Sequence, residues 1–190
     1  MGGTVRRPRA DALRNAERLL AEADAVFRDR GTDASLEGIA RRAGVAIGTL
    51  YAHFPNRRAL VGALLRDRND ALFARGDELA SLAEPAPALR EWIEAVVAHA
   101  ATYQGLAELL ADGADDAASE LHASCERLTA ISDRLLDTAR RTGAVHSDVT
   151  GADVFTLMNA AAWTRAHASA AQAARFLARS VDGLLVDEVG

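Results

Sequence analysis

The chain has 190 residues, enough for one or two domains with a substantial core; 49% are hydrophobic but only 5% aromatic, and there are only 4 Pro, which points to an all-α protein packed mainly with Ala, Leu and Val. Cys125 is the sole cysteine, which excludes an intramolecular disulfide or a cysteine metal cluster, and polar residues interrupt every apolar run before it reaches membrane-spanning length. The net charge of −5 is uneven: residues 1–68 carry 13 Arg against 8 acidic residues, residues 69–190 carry 9 against 19, and there is no Lys. A basic head on an acidic body suits a protein that presents one end to a polyanion.

Residues 1–8 read as a loose basic arm, and Arg6, Arg7 and Arg9 precede no apolar stretch of signal-peptide type, so a cytoplasmic location is expected. A first helix is expected over Arg9–Arg30, with Leu13, Ala16, Leu20, Ala23 and Phe27 at helical spacing and Gly31 as its stop. Ser35 can cap a second helix whose apolar side is Leu36, Ile39, Ala40 and Ala43. Gly38 stands where a capping box would need Glu. Gly44 sits where the helix must end in a left-handed residue, and Val45 is the buried residue of the turn. A third helix then turns Leu50 and Phe54 inward, and Thr49, Tyr51 and His53 outward. Two short helices joined by such a turn form a helix-turn-helix, the shape that lays a helix in the DNA major groove.

Asn56 can cap a fourth helix running to about Leu82, with Leu60, Leu64, Ala71 and Phe73 inward, and Glu84–Pro87 reads as a linker. Further helices are expected over Ala88–Tyr103, over Leu106–Ala111 up to an Asp112-Gly113 turn, and over Ser119–Arg141, stopped by Gly143. The last two are Gly151–Ala168, capped by Thr150, and Ala170–Val186, making about nine.

Residues 9–68 resemble the N-terminal domain of the tetracycline-repressor (TetR) family of bacterial regulators. The matching residues are Ala25-Val26-Phe27 with Gly31, Ser35-Leu36, Ile39-Ala40, Ala43-Gly44-Val45, Gly48-Thr49-Leu50-Tyr51, His53-Phe54 and Arg57 to Leu60. The resemblance implies a helix-turn-helix domain including the start of the fourth helix, then an effector-binding and dimerisation domain over 69–190. It carries DNA contact to Ser35, Gly48, Thr49, Tyr51, His53 and Arg57. Physical chemistry agrees: hydroxyls and a ring nitrogen suit phosphate oxygens, Gly48 allows close approach, and Arg57 opens a helix whose dipole favours an anion. The chain departs from the family at Ala46-Ile47, where relatives often carry a polar pair, and at Ala52. Discrimination among sequences then falls to methyl contacts from Ala46 and Ile47, to DNA shape, or to the arm in the minor groove.

The resemblance also implies a homodimer through the last two helices, with an apolar face from Val154, Phe155, Met158, Ala160–Ala162, Phe176, Leu177, Val181, Leu184 and Leu185. Two copies would set their recognition helices about 34–36 Å apart on a palindromic operator. A pocket for an unknown small-molecule effector is expected from Trp92, His99, Tyr103, Leu110, Cys125, Met158, Asn159, Trp163 and His167. The implied function is a ligand-released repressor. No cofactor is expected, and no enzyme motif is found: there is no Gly-x-Ser-x-Gly elbow and no phosphate-cradling loop. Asp115, Asp116, His122 and Cys125 lie close enough in sequence to raise metal sensing, but an acidic loop before a helix explains them without a metal. The second reading is a helical protein-interaction module with a degenerate head, for which the Ala46-Ile47 pair speaks.

Overall fold

The computed structural model describes residues 6–111 and 120–186. The expectations for the start of the arm, the Asp112-Gly113 turn, Asp115, Asp116 and the Leu110 side chain lie outside the described residues. Nine helices are found among the described residues: α1 (Arg6–Arg30), α2 (Leu36–Arg42), α3 (Ile47–His53), α4 (Arg57–Leu79), α5 (Pro85–Ala100), α6 (Leu106–Ala111), α7 (Glu120–Arg141), α8 (Gly151–His167) and α9 (Ala170–Asp182). No helix among them is long and apolar enough to cross a membrane.

The helices enclose two cores. One gathers Leu19, Ala23 and Phe27 of α1 with Ile39, Leu50, Leu60 and Leu65 of α2–α4, all essentially without solvent access. Tyr103 just after α5, Leu106 of α6 and Leu121 of α7 close this core from the body. The other surrounds Trp92, whose indole N–H donates to the Ser132 hydroxyl at 2.8 Å, and draws on α4, α5, α7, α8 and Val181 of α9. Helix α4 runs through both, with Leu60, Val61 and Leu65 in the first and Leu72, Phe73 and Leu79 in the second.

Several elements differ from the sequence expectation. Helix α1 starts at Arg6, so part of the basic arm is helical; Pro8 is tolerated there because a first-turn residue has no intrahelical partner for an N–H. Its inner stripe is Ala16, Leu19, Ala23 and Phe27, while Leu13 is 66% exposed because the early turns reach past the head core. The linker at Glu84–Pro87 is instead the first turn of α5, where Pro85 lacks only an N–H that would be unpaired anyway. Helix α4 stops at Leu79, leaving Leu82 exposed, and Ala71 faces solvent because neighbouring Leu72 and Phe73 meet the body. The Thr150 cap gains a partner: the Thr150 N–H donates to the Asp153 carboxylate at 2.8 Å, completing a capping box. The α7–α8 loop pairs with the segment after α9 through a single antiparallel bridge, Val145 to Leu185, with His146 N donating to Leu184 O and Val186 N to Ala144 O, each at 3.1 Å.

Candidate nucleic-acid interface and ligand groove

The Ser35 hydroxyl accepts from Gly38 N at 3.2 Å and starts α2. Gly44 takes a φ of +67°, reversing the chain at no Cβ cost, and Val45 N closes the turn on Ala40 O at 3.0 Å. Glu22 of α1 pairs with Arg42 at 2.8 Å, and Arg18 donates to the Ala43 carbonyl, so α1 braces the end of α2. Helix α3 then buries Leu50 and Phe54 against the head core.

The opposite face of α3 stays open. Tyr51 is 47% exposed, Ala46 and Gly48 are exposed, and Ile47, Thr49 and His53 are half-buried. A Cβ placed on Gly48 would meet nothing within 4 Å. The protein's own packing therefore gives no reason for a glycine that weakens a short helix by roughly 0.5–1 kcal/mol. Arg57 is partly committed: its guanidinium donates to the Thr32 carbonyl and, at 2.6 Å, to that of Ala34, tying the start of α4 to the segment before α2. Arg41, exposed in the last turn of α2, has no partner among the described residues. With Arg30, Arg42 and Ser35 it lines a cleft of about 540 Å³ between α1 and α2. Sequence reasoning passed over Arg41 and Arg42; the positive balance of residues 1–68 was the available signal.

Head and body meet at Tyr103. Its hydroxyl donates to Asp24 of α1 at 2.6 Å, its ring stands edge-on to Phe27, and the Arg28 guanidinium lies over it. Arg28 holds the Asp24 carboxyl below its ordinary value, helped by the tyrosine, while burial and the Asp24 bond push the Tyr103 phenol up to about 12. One residue further, Gln104 accepts from Thr32 N at 2.8 Å.

A groove of about 760 Å³ lies between α7 and α8 over α5, and of the expected pocket residues it collects Cys125, Met158 and Asn159. Burial pushes the Cys125 thiol up. Trp92 and His99 are buried in the body, and desolvation, assisted by the Arg68 charge, lowers the His99 pKa to about 4. Tyr103 belongs to the head core instead. Trp163, 53% exposed, stacks on His167 with ring centroids 4.4 Å apart on the outer face of α8. Phe155, on the groove wall, and Phe176 are also exposed, whereas Val154, Met158, Ala161, Ala162 and Val181 are buried within their own chain.

A three-helix head presenting one open helix, carried by α4 on an all-helical body, is the architecture of a helix-turn-helix DNA-binding regulator. Residues 19–64 match the family model of bacterial regulatory proteins of the tetR family, and residues 84–186 match the C-terminal domain of SbtR-like transcriptional regulators. The TetR transcriptional regulator SCO0520 of Streptomyces coelicolor is 34% identical over 90% of this chain and 99% of its own, with a TM-score of 0.59. The TetR transcription regulatory protein of Mycobacterium vanbaalenii is 32% identical over 94% and 99%, with a TM-score of 0.55. FadR of Bacillus subtilis, solved with stearoyl-CoA, shares the fold at 18% identity over 88% and 98%, with a TM-score of 0.62. No curated protein matches the chain. The chain belongs to the TetR family and is a DNA-binding transcriptional regulator.

Proposed function

We propose that the protein is a cytoplasmic repressor that binds a palindromic operator as a homodimer and leaves it when a small molecule occupies the body. Gly48 carries this reading. It is the one position on the open face of α3 where the fold pays in helix stability and receives nothing from its own packing. Close approach of the α3 backbone to a groove wall accounts for it. Thr49, Tyr51 and His53 then reach phosphates, Ser35 adds a contact at the start of α2, and Ala46 and Ile47 touch thymine methyls. Arg57 contributes through donors that its two carbonyl bonds leave open. The exposed Trp163 and Phe176 supply the dimer face. Ligand-bound FadR of the same fold supports the sensing role. The ligand acts by preferring the DNA-incompetent arrangement of the head.

Selection of bound duplexes from a random pool tests this. The expected result is one two-fold-symmetric sequence, bound with an affinity that falls steeply with salt. Gly48→Ala should raise the melting temperature slightly and weaken that binding at least tenfold. Salt-indifferent binding without sequence preference would sink the reading in favour of a protein-interaction module.

A further inference from the structure

We infer that the groove between α7 and α8 takes an apolar organic cation in preference to an anion of the same size and shape. The inference rests on the ligand-responsive reading above and adds the charge of the ligand.

The floor and walls are apolar: Val96 and Ala100 of α5, Leu128 of α7, and Phe155 and Met158 of α8. Its acidic groups are two solvent-exposed carboxylates, Glu126 and Asp133, seven residues apart on α7 and so on one helix face, about 10.5 Å apart along the axis, and the His122 imidazole lines it beside Glu126. Glu126 is answered by the His122 imidazole at 3.5 Å, whereas Asp133 has no ion-pair or hydrogen-bond partner among the described residues. Its Oδ1 leans across to α8, 2.7 Å from where a Cβ of Gly151 would stand.

The cations of α7 are all committed elsewhere. Arg127 and Arg134 pair with Asp77 of α4, Arg140 pairs with Asp137 at 3.2 Å and donates to the Val149 carbonyl, and Arg141 donates to Thr138. Among the described residues no arginine lines the groove, and the chain has no lysine. Arg58 acts electrostatically on the Cys125 thiol; one guanidinium nitrogen donates to the Leu109 carbonyl while Nε and the other stay buried without a partner among the described residues, and the side chain lines no part of the groove. An anionic headgroup would therefore meet the Asp133 carboxylate with no arginine or lysine lining the groove beside it. A delocalised cation gains Asp133, while its apolar body covers the floor and can lie on the half-exposed Phe155 ring.

Tetraphenylphosphonium and tetraphenylborate, nearly identical in shape and opposite in charge, separate the possibilities by calorimetry on the full-length protein. The phosphonium should bind at least tenfold tighter than the borate. Asp133→Asn should cut that preference several-fold without changing the melting temperature. Ala152→Trp, at an exposed position on the groove wall, should abolish phosphonium binding. Equal or tighter borate binding overturns the inference. So does an absence of binding by either ion, or phosphonium binding indifferent to both substitutions. None of these measurements involves DNA. A protein that selects an operator but prefers the borate loses this inference alone, and one that binds the phosphonium in the groove but ignores DNA loses the regulator reading.

Discussion

His99 shows what burial does to one side chain. It sits on α5 with 6% of its surface exposed, and its pKa drops from 6.5 to about 4. An unfolded chain takes up a proton near pH 6.5 that the folded one refuses until about pH 4. Stability is therefore complete above pH 6.5 and declines as pH falls toward 4, by about 3 kcal/mol in total. Thermal melts from pH 7 to 4 should show this loss, and His99→Gln should flatten that part of the profile; an unchanged slope in the variant would place the acid sensitivity elsewhere. Tyr103 works in the opposite direction. Its raised pKa gives stability that is whole below pH 10 and lost as pH rises through about 12.

At the scale of elements, α8 and α9 divide their apolar residues between two duties. Val154, Met158, Ala161, Ala162 and Val181 face inward, leaving Trp163 and Phe176 as an outer stripe, while Phe155 lines the groove. If that stripe joins two copies, Trp163→Glu should yield monomers in sedimentation at micromolar concentration, with the fold intact by circular dichroism. A dimer of undiminished strength would move the interface to another face. Sequence alone revealed the helices well wherever one signal dominated: Ser35, Gly44 and Thr150 mark ends that the backbone confirms by cap bonds and a positive φ. It failed at α5, where Pro85 and Pro87 suggest a linker by composition yet suit a helix start. The aromatic candidates also scattered. Trp92 falls at helical spacing in α5 and Trp163 lies four residues before His167 in α8, which says that a residue lies on a face but not which neighbour that face meets. The groove's acidic edge was invisible for the same reason, since it depends on where the α7 arginines turn.

Across the whole molecule, the head is incomplete without the body. Tyr103, Leu106 and Leu121 are almost fully buried in the head core, and each contributes roughly 1.5–3 kcal/mol by its burial. Three such contributions are comparable to the entire stability of a small domain. A fragment ending at residue 68 should therefore show no cooperative melt by circular dichroism. A sharp transition in that fragment, near that of the full chain, would show that the three residues add little. The same arrangement links the groove to the head. Val96 and Ala100 of α5 floor the groove, and Tyr103, just beyond that helix, holds Asp24 in the head.

The shared core also bears on engineering. Anyone hoping to graft this reading module onto a foreign sensor must transplant the Tyr103 and Leu106 turn and the Leu121 edge along with it. A chimaera spliced at the apparent border after α4 would inherit an unroofed socket around Phe27 and Leu65.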